Sequence, residues 1–293
     1  MANNDRLLTW TVRGFLVLFF TYLLFPLAYL LLVAFNESKL PTHKNFSFTL
    51  KWFGEAWSDT RMWDGIQTSL LIGVVVVAIS LTLGMGGALL LVRLQLRAKN
   101  FIYALLVSPI LAPGIVLGIS AFIFWQQRMG LVAGWWTAAL AQSSFISAYC
   151  MLIFIARLQR FDTALEEAGL DLGASPRQVF WRITMPYMRP AMLSAAALSF
   201  LQFFENYTTT YFAIGPGQTF TIFIANKVRQ GVTPAVNAVA FIIVAVTVIV
   251  AIAMEIRRRR RMKASELAAR KAEAADLALA QGVGSPVVAQ AAE

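Results

Sequence analysis

The sequence predicts an all-α membrane protein of six transmembrane helices, with its N- and C-termini in the cytoplasm. Three observations predict it. Of the 293 residues, 58% are hydrophobic and 14% charged, where soluble domains run at about 45–50% apolar and about 25% charged. Several stretches stay apolar for longer than the roughly 18 residues that a bilayer crossing needs. Basic residues gather at the ends of these stretches and favour one side, which receives 18 of the 25 Lys and Arg; that side is cytoplasmic by the positive-inside rule. The net charge of +10 is thereby a matter of membrane topology and calls for no nucleic-acid partner. The one cysteine, Cys150, lies inside an apolar run, so no disulfide framework exists to read.

The spans fall at 13–35, 68–92, 101–125, 135–156, 191–213 and 234–256. Residues 1–35 make the N-terminus and first helix, which is too apolar for too long to be a cleaved signal peptide. Residues 36–67 are an outer, periplasmic loop whose Trp52, Phe53, Trp57 and Trp63 suit the membrane interface. The only histidine, His43, sits in this loop. Residues 68–260 form a core of five spans with a cytoplasmic loop at 157–190. In the second span, Gly84, Gly86 and Gly87 permit close helix contact. The third, 108-SPILAPGIVLGIS-120, carries breaks that are tolerated where they line a cavity or lie inside protein. Pro109, Pro113 and Gly114 there are either a gate or simple packing. The block 257-RRRRR-261 stops the last span. Residues 261–293 form a cytoplasmic tail, able to be helical as far as Ala280 and flexible after Gly282.

One polar passage stands out, 165-LEEAGLDLGASPRQVFWRITMP-186. Thr163 with Glu166 reads as a capping box that opens a helix, and Gly173 suits its C-terminal cap. Ser175, Pro176 and Gln178 read as a second capping box with proline in the first turn. Leu165, Ala168 or Gly169, and Leu172 recur at helical spacing. This ridge has two uses: filling a groove, on this chain or another, or lying on the membrane surface.

The passage resembles the cytoplasmic loop of the permease subunits of binding-protein-dependent ATP-binding-cassette importers, which have a MetI-like fold. Their signature runs Glu-Ala-Ala, then Gly, then Ile-x-Leu-Pro. Here it reads Glu167-Ala168-Gly169, Gly173 and Ile183-Thr184-Met185-Pro186, with Gly169 and Met185 departing from the pattern. A second stretch, 214-IGPGQTFTIFIANKVRQGVTPAVNA-238, is similar to the spermidine/putrescine branch of that family. There Thr233 and Pro234 open the last span as cap and first helical residue.

The resemblance implies that the passage is a coupling helix docking on a separate ATPase. The residues concerned are Leu165, Glu166, Glu167, Ala168, Gly169, Asp171, Leu172, Gly173, Ala174 and Pro176. Glu167 holds the loop by hydrogen bonds in this reading, and Gly173 shapes the turn. It further implies two copies of the ATPase, a second, homologous permease chain, a periplasmic solute-binding protein and a bacterial inner-membrane location. The sequence lacks a G-x-x-x-x-G-K-[ST] loop, so ATP and Mg belong to the partner and no cofactor or metal belongs to this chain. It is not itself an enzyme in this reading.

Only one carboxylate lies deep in a span, Glu205. An ionisable group at that depth is costly and usually faces a cavity or a partner. The pathway reading gives it a small cationic solute, with Asn206 and Tyr207 beside it and Phe203, Phe204 and Tyr211 as aromatic neighbours. The plainer alternative is that Glu205 bonds a neighbouring helix and holds the bundle together. Two rival functions remain at this point: a permease for another small solute, and an ATPase-independent transporter or channel in which Glu205 relays protons or cations.

Overall fold

A computed structural model describes residues 2–38, 46–94, 97–231 and 234–280, with side chains described outside 2–7, 250, 251, 261 and 264–280. His43, Lys39, Lys44 and the Thr233 cap lie outside the described residues. The chain is helical: α1 (Ala2–Ala34), α2 (Lys51–Ser58), α3 (Thr60–Arg93), α4 (Lys99–Leu111), α5 (Gly114–Phe122), α6 (Trp135–Leu158), α7 (Ala164–Asp171), α8 (Pro176–Val179), α9 (Met185–Glu205), α10 (Tyr207–Ala213), α11 (Phe220–Arg229) and α12 (Pro234–Ala280). Wider π turns extend α5 through Ile123–Arg128 and join α8 to α9 through Phe180–Thr184. It divides into two compact units, residues 57–232 and residues 1–56 with 233–293.

The unit 57–232 is built on α3 and α6, which form its most extensive helix pair, with α9 packed on both. Small residues bring α3 and α6 together. A Cβ added at Gly84 would stand 2.6 Å from the Cys150 Cβ and 2.9 Å from the Met151 backbone nitrogen, and one at Gly87 would stand 2.9 Å from the Met151 sulfur. Gly86, by contrast, has open space beside it. Ile72, Val76, Ala138, Phe145, Ile146 and Phe203 form one apolar cluster, and Met85, Leu91, Cys150, Phe154, Met188 and Ala195 another. Gly84→Leu is therefore expected to cost about 1–3 kcal/mol by overpacking. Thermal unfolding in detergent checks this, with Gly86→Leu as the variant expected to melt like the parent.

Among the described residues, four helices are long and apolar enough to cross a membrane: Leu8–Ala34, Thr60–Arg93, Trp135–Leu158 and Pro234–Arg260. The third expected span is not straight, because α4 and the α5 segment through Arg128 meet at 102°. Proline disfavours helical backbone at the residue before it, and Ala112, before Pro113, is extended at φ −79 and ψ 134. The fifth expected span, 191–213, is interrupted. Asn206 (φ −87, ψ 65) ends α9 and caps α10, its Oδ1 accepting from the Thr209 N–H at 3.2 Å. Counting the bent pair as one span gives up to five helices that meet the length and apolarity criterion among the described residues.

In the other unit, α1 packs on α12. Asn36 is fully buried; its Oδ1 accepts from the Ser47 N–H at 3.1 Å and its carbonyl from Trp52 Nε1 at 2.8 Å. Phe53 packs on Phe35 and edge-on to Phe241. Trp52 is thus buried within this unit and Phe53 half-buried, with Asn36 a polar partner for the first and Phe35 an apolar one for the second. Trp57, which belongs to the unit 57–232, stays exposed and meets Trp63 of the same unit edge to face. The last helix runs unbroken to Ala280.

Candidate functional sites at the 163–186 corner and at Glu205

The corner is a short helix, a tight cap and a second capped helix. Its start differs from expectation: the Thr163 side chain makes no capping bond, and the Ala164 N–H is taken by Asp162 Oδ1 at 3.0 Å. Its end is a paired cap. The Gly173 N–H donates to the Leu170 carbonyl at 2.8 Å and the Ala174 N–H to the Gly169 carbonyl at 3.1 Å, with Gly173 at φ +83, a left-handed conformation that favours glycine. The second box is as read: Ser175 Oγ accepts from the Gln178 N–H at 3.4 Å and Gln178 Oε1 from the Ser175 N–H at 2.8 Å, with Pro176 in the first turn.

Leu165, Glu167, Ala168, Asp171 and Leu172 are exposed, Leu172 at 89% and Leu165 at 53%. Gly169 turns inward. A Cβ there would lie 2.9 Å from the Ile183 Cδ1 and 3.3 Å from the Val179 Cγ2, which gives the missing methyl group a physical reason. Ala174 is half-buried and Pro176 exposed.

The residue that fixes the corner is Glu166, not Glu167. Glu166 is buried while its neighbour is exposed, because α7 seats one of the two successive carboxylates inward and turns the next, about 100° round the helix, to solvent. Arg93, the last residue of α3, grips Glu166 with both guanidinium nitrogens, Nη2 reaching Oε1 at 2.6 Å and Nη1 reaching Oε2. Oε1 also accepts from the Thr184 hydroxyl. Bonding to Arg93 holds the Glu166 carboxyl below its ordinary value; burial works against this, and the Thr184 bond adds to it. Nothing in the local sequence marks Arg93 as the partner, since 73 positions separate the two.

Glu205 opens onto a cavity of about 290 Å³ that Pro109, Gly114, Tyr149, Gln202, Asn206 and Thr208 help to line. The proline- and glycine-rich break of α4–α5 and the Glu205–Asn206 break of α9–α10 are thus one place. A Cβ on Gly114 would lie 3.0 Å from the Asn206 Oδ1, and Thr209 Oγ1 donates to the Gly114 carbonyl at 3.1 Å. Pro113 caps α5 at this junction. The Asn206 carbonyl, at the break, accepts from Gln142 Nε2 at 2.8 Å and from the Thr210 hydroxyl at 3.4 Å, and the same amide reaches Thr210 Oγ1 at 2.6 Å. Gln142 is fully buried; the sequence reading passed over it, although a glutamine within an apolar span is itself a signal of a polar partner.

The aromatic neighbours divide. Phe203 is buried in the core cluster and Phe204 packs against Phe200 and Phe203, so neither lines the cavity. In an α-helix, residues one and two before Glu205 project about 100° and 200° away from it. Tyr207 packs against the core and meets Tyr211 at a tilt of 39°. Tyr211 faces a separate cavity of about 660 Å³ with Phe212 and the Gly215–Gln218 turn, and the Arg229 guanidinium lies 5.6 Å from its ring centre. That ring already has a cation from its own chain. Gly215, at φ +64, passes so close to Ala133 that a Cβ would stand 2.4 Å from the Ala133 Cβ. Outside this turn, α11 is fixed to α3 by Lys227 Nζ on Asp59 Oδ2 at 2.9 Å and by the Phe220 N–H on Ser69 Oγ at 2.9 Å.

Residues 78–263, which contain both sites, match the family described as binding-protein-dependent transport system inner membrane component. The chain is 32% identical over 239 residues to the putrescine transport system permease protein PotI of Escherichia coli (strain K12), covering 78% of this chain and 83% of that one. It is 28% identical over 235 residues to the spermidine/putrescine transport system permease protein PotC of the same strain, covering 80% and 88%. Among solved structures it shares its fold with a bacterial ABC transporter involved in the import of the acidic polysaccharide alginate, at a TM-score of 0.69 and 14% identity over 86% of this chain and 97% of that one. The MetNI methionine ABC transporter gives a TM-score of 0.51 at 19% identity, over 67% and 92%. The corner with its glycine cap, the broken helices around Glu205 and a family match across both lead to one conclusion: the chain belongs to the binding-protein-dependent transport system inner membrane components, a family of transport subunits and not of catalytic ones.

Proposed function

We propose that this chain is a permease subunit of an ATP-driven importer that moves a small cationic solute of the polyamine class, such as putrescine or spermidine, into the cytoplasm. Six spans carry it: α1, α3, the bent pair α4–α5, α6, α9 with α10, and α12. Both termini are cytoplasmic, and the protein resides in the bacterial inner membrane. Two copies of a partner ATPase hold the ATP and Mg, a second, homologous permease chain completes the membrane portion, and a periplasmic binding protein delivers the solute.

The observation that carries this reading is the corner at 163–186. Leu165 and Leu172 expose an apolar stripe on a helix whose end is closed by the Gly173 cap, and the stripe stays open among the described residues. α7 is then the coupling helix that fills a groove on the ATPase, and nucleotide-driven closure shifts the whole corner between two states. The polyamine class rests on the names of the similar permeases and on Glu205, the acidic group at a cavity that includes the α4–α5 break. Pro109, Pro113 and Gly114 are the hinge of a gate in this reading.

Gentle-detergent purification of the tagged chain, with partners identified by mass spectrometry, tests the assignment. Recovery of a P-loop ATPase and a second permease is expected. A chain recovered alone that transports in vesicles without ATP would overturn it.

A further inference from the structure

We infer that Arg93 and Glu166 form the tie through which movement of the corner reaches α3, acting as positioning residues that touch neither nucleotide nor solute. The inference rests on the importer reading above and adds the path of transmission. Contact between α7 and the end of α3 is otherwise sparse: a cavity of about 320 Å³ lies there, lined by Leu89, Leu170, Pro176 and Phe180 as well as the pair itself. The ion pair bridges what apolar packing leaves open. Its two-pronged geometry fixes direction as well as distance, so α3 follows the corner in translation and in tilt. The same carboxylate takes the Thr184 hydroxyl, on the π turn that leads into α9. One side chain thus joins the end of α3, the first turn of α7 and the entry to α9.

What α3 receives it passes on, because α3 forms the main helix pair with α6 and also meets α9. Those two helices supply Tyr149, Gln202 and Glu205 to the cavity at the helix breaks. Glu166 projects about 100° round α7 from Leu165, away from the exposed stripe. Breaking the tie should accordingly spare ATPase docking and sever transmission, a combination that a purely structural role does not produce.

The test uses the assembled importer in proteoliposomes with its binding protein, labelled putrescine as the probe, and four variants: Glu166→Gln, Arg93→Gln, Arg93→Lys and the exchange Arg93→Glu with Glu166→Arg. Expected for the two glutamine variants are full co-purification of the ATPase, retained basal ATP hydrolysis, and uptake and binding-protein-stimulated hydrolysis reduced roughly 5- to 150-fold, the range of ordinary coupling energies. The exchange should recover part of both. Arg93→Lys keeps the charge without the fork and is expected to assemble fully with intermediate stimulation, which serves the test if the glutamine variants do not insert. Unchanged stimulation in assembled single variants, or an assembled exchange variant with no recovery, overturns the inference. A parent chain that recruits no ATPase at all is the distinct failure of the importer assignment.

Discussion

Leu165→Asp combined with Leu172→Asp is expected to abolish recovery of the ATPase with this chain while leaving the chain in the membrane and folded. Both leucines are exposed, at 53% and 89%, and substitutions at exposed positions usually change stability by less than about 0.5 kcal/mol. A leucine buried in a partner's groove contributes about 1.5–3 kcal/mol. Two aspartates forfeit both contributions and add the cost of desolvating carboxylates against an apolar wall. Because each 1.4 kcal/mol is tenfold in affinity, docking should weaken by more than about 100-fold. Co-purification and thermal melting of the same sample separate the two effects. Full recovery of the ATPase by the double variant would move the docking surface elsewhere on the chain, while loss of both ATPase and fold would show the stripe to be internal support.

Gly173 supplies a control on the same corner. A Cβ there meets nothing within 4 Å, so a side chain is opposed by backbone conformation and not by crowding. The leucine pair thus probes the surface of the corner and Gly173 its shape, and a defect in the first alone identifies a contact.

The corner shows what the sequence could tell and what it could not. Ser175, Pro176 and Gln178 announce their helix because the bonds they make lie within three residues. Gly173 is equally legible, since the left-handed turn it adopts is a local requirement. The Thr163–Glu166 box has the right letters but a different structure, because Glu166 has a stronger offer from Arg93, a charge-assisted fork from another helix. Choosing between Glu166 and Glu167 needed the orientation of α7 against α3, which two adjacent glutamates cannot encode by themselves. In the same way the apolar count drew one span over 191–213. At the break the Asn206 carbonyl bonds Gln142 on α6, a partner 64 positions away that the local run does not reveal. The 102° bend at 112–113 was legible as a site of interruption, from two prolines four residues apart, and its angle was not. Phe203 is near Glu205 in sequence but not in direction, since a residue two positions earlier on a helix projects about 200° away.

Glu205→Gln is expected to lower uptake of labelled putrescine roughly tenfold or more with assembly and basal ATP hydrolysis intact. The residue is exposed where it meets the cavity, so the change removes a charge without stranding a buried partner, and folding should be unaffected. A solute ammonium loses a charge-assisted hydrogen bond, and such bonds are about twice as strong as neutral ones. The neutral amide keeps the shape of the carboxylate, so a steric defect is not introduced. Glu205→Asp, which keeps the charge on a shorter arm, should transport better than the glutamine variant. Gln142→Leu makes the complementary comparison: it removes the amide's bonds to the Asn206 carbonyl and the Thr210 hydroxyl, which keep only their own contact at 3.4 Å, at about 0.5–1.5 kcal/mol for each bond lost, and should lower the melting temperature first and uptake as a consequence. The two variants therefore separate a residue that meets the solute from one that holds the break in place. If Glu205→Gln transports putrescine at the parental rate, the carboxylate is not on the solute's path and the polyamine assignment rests on family likeness alone. If it transports no putrescine yet shows undiminished stimulation of ATP hydrolysis by the loaded binding protein, the solute is released into the cavity and stopped there, which would assign the acidic group to passage and not to signalling.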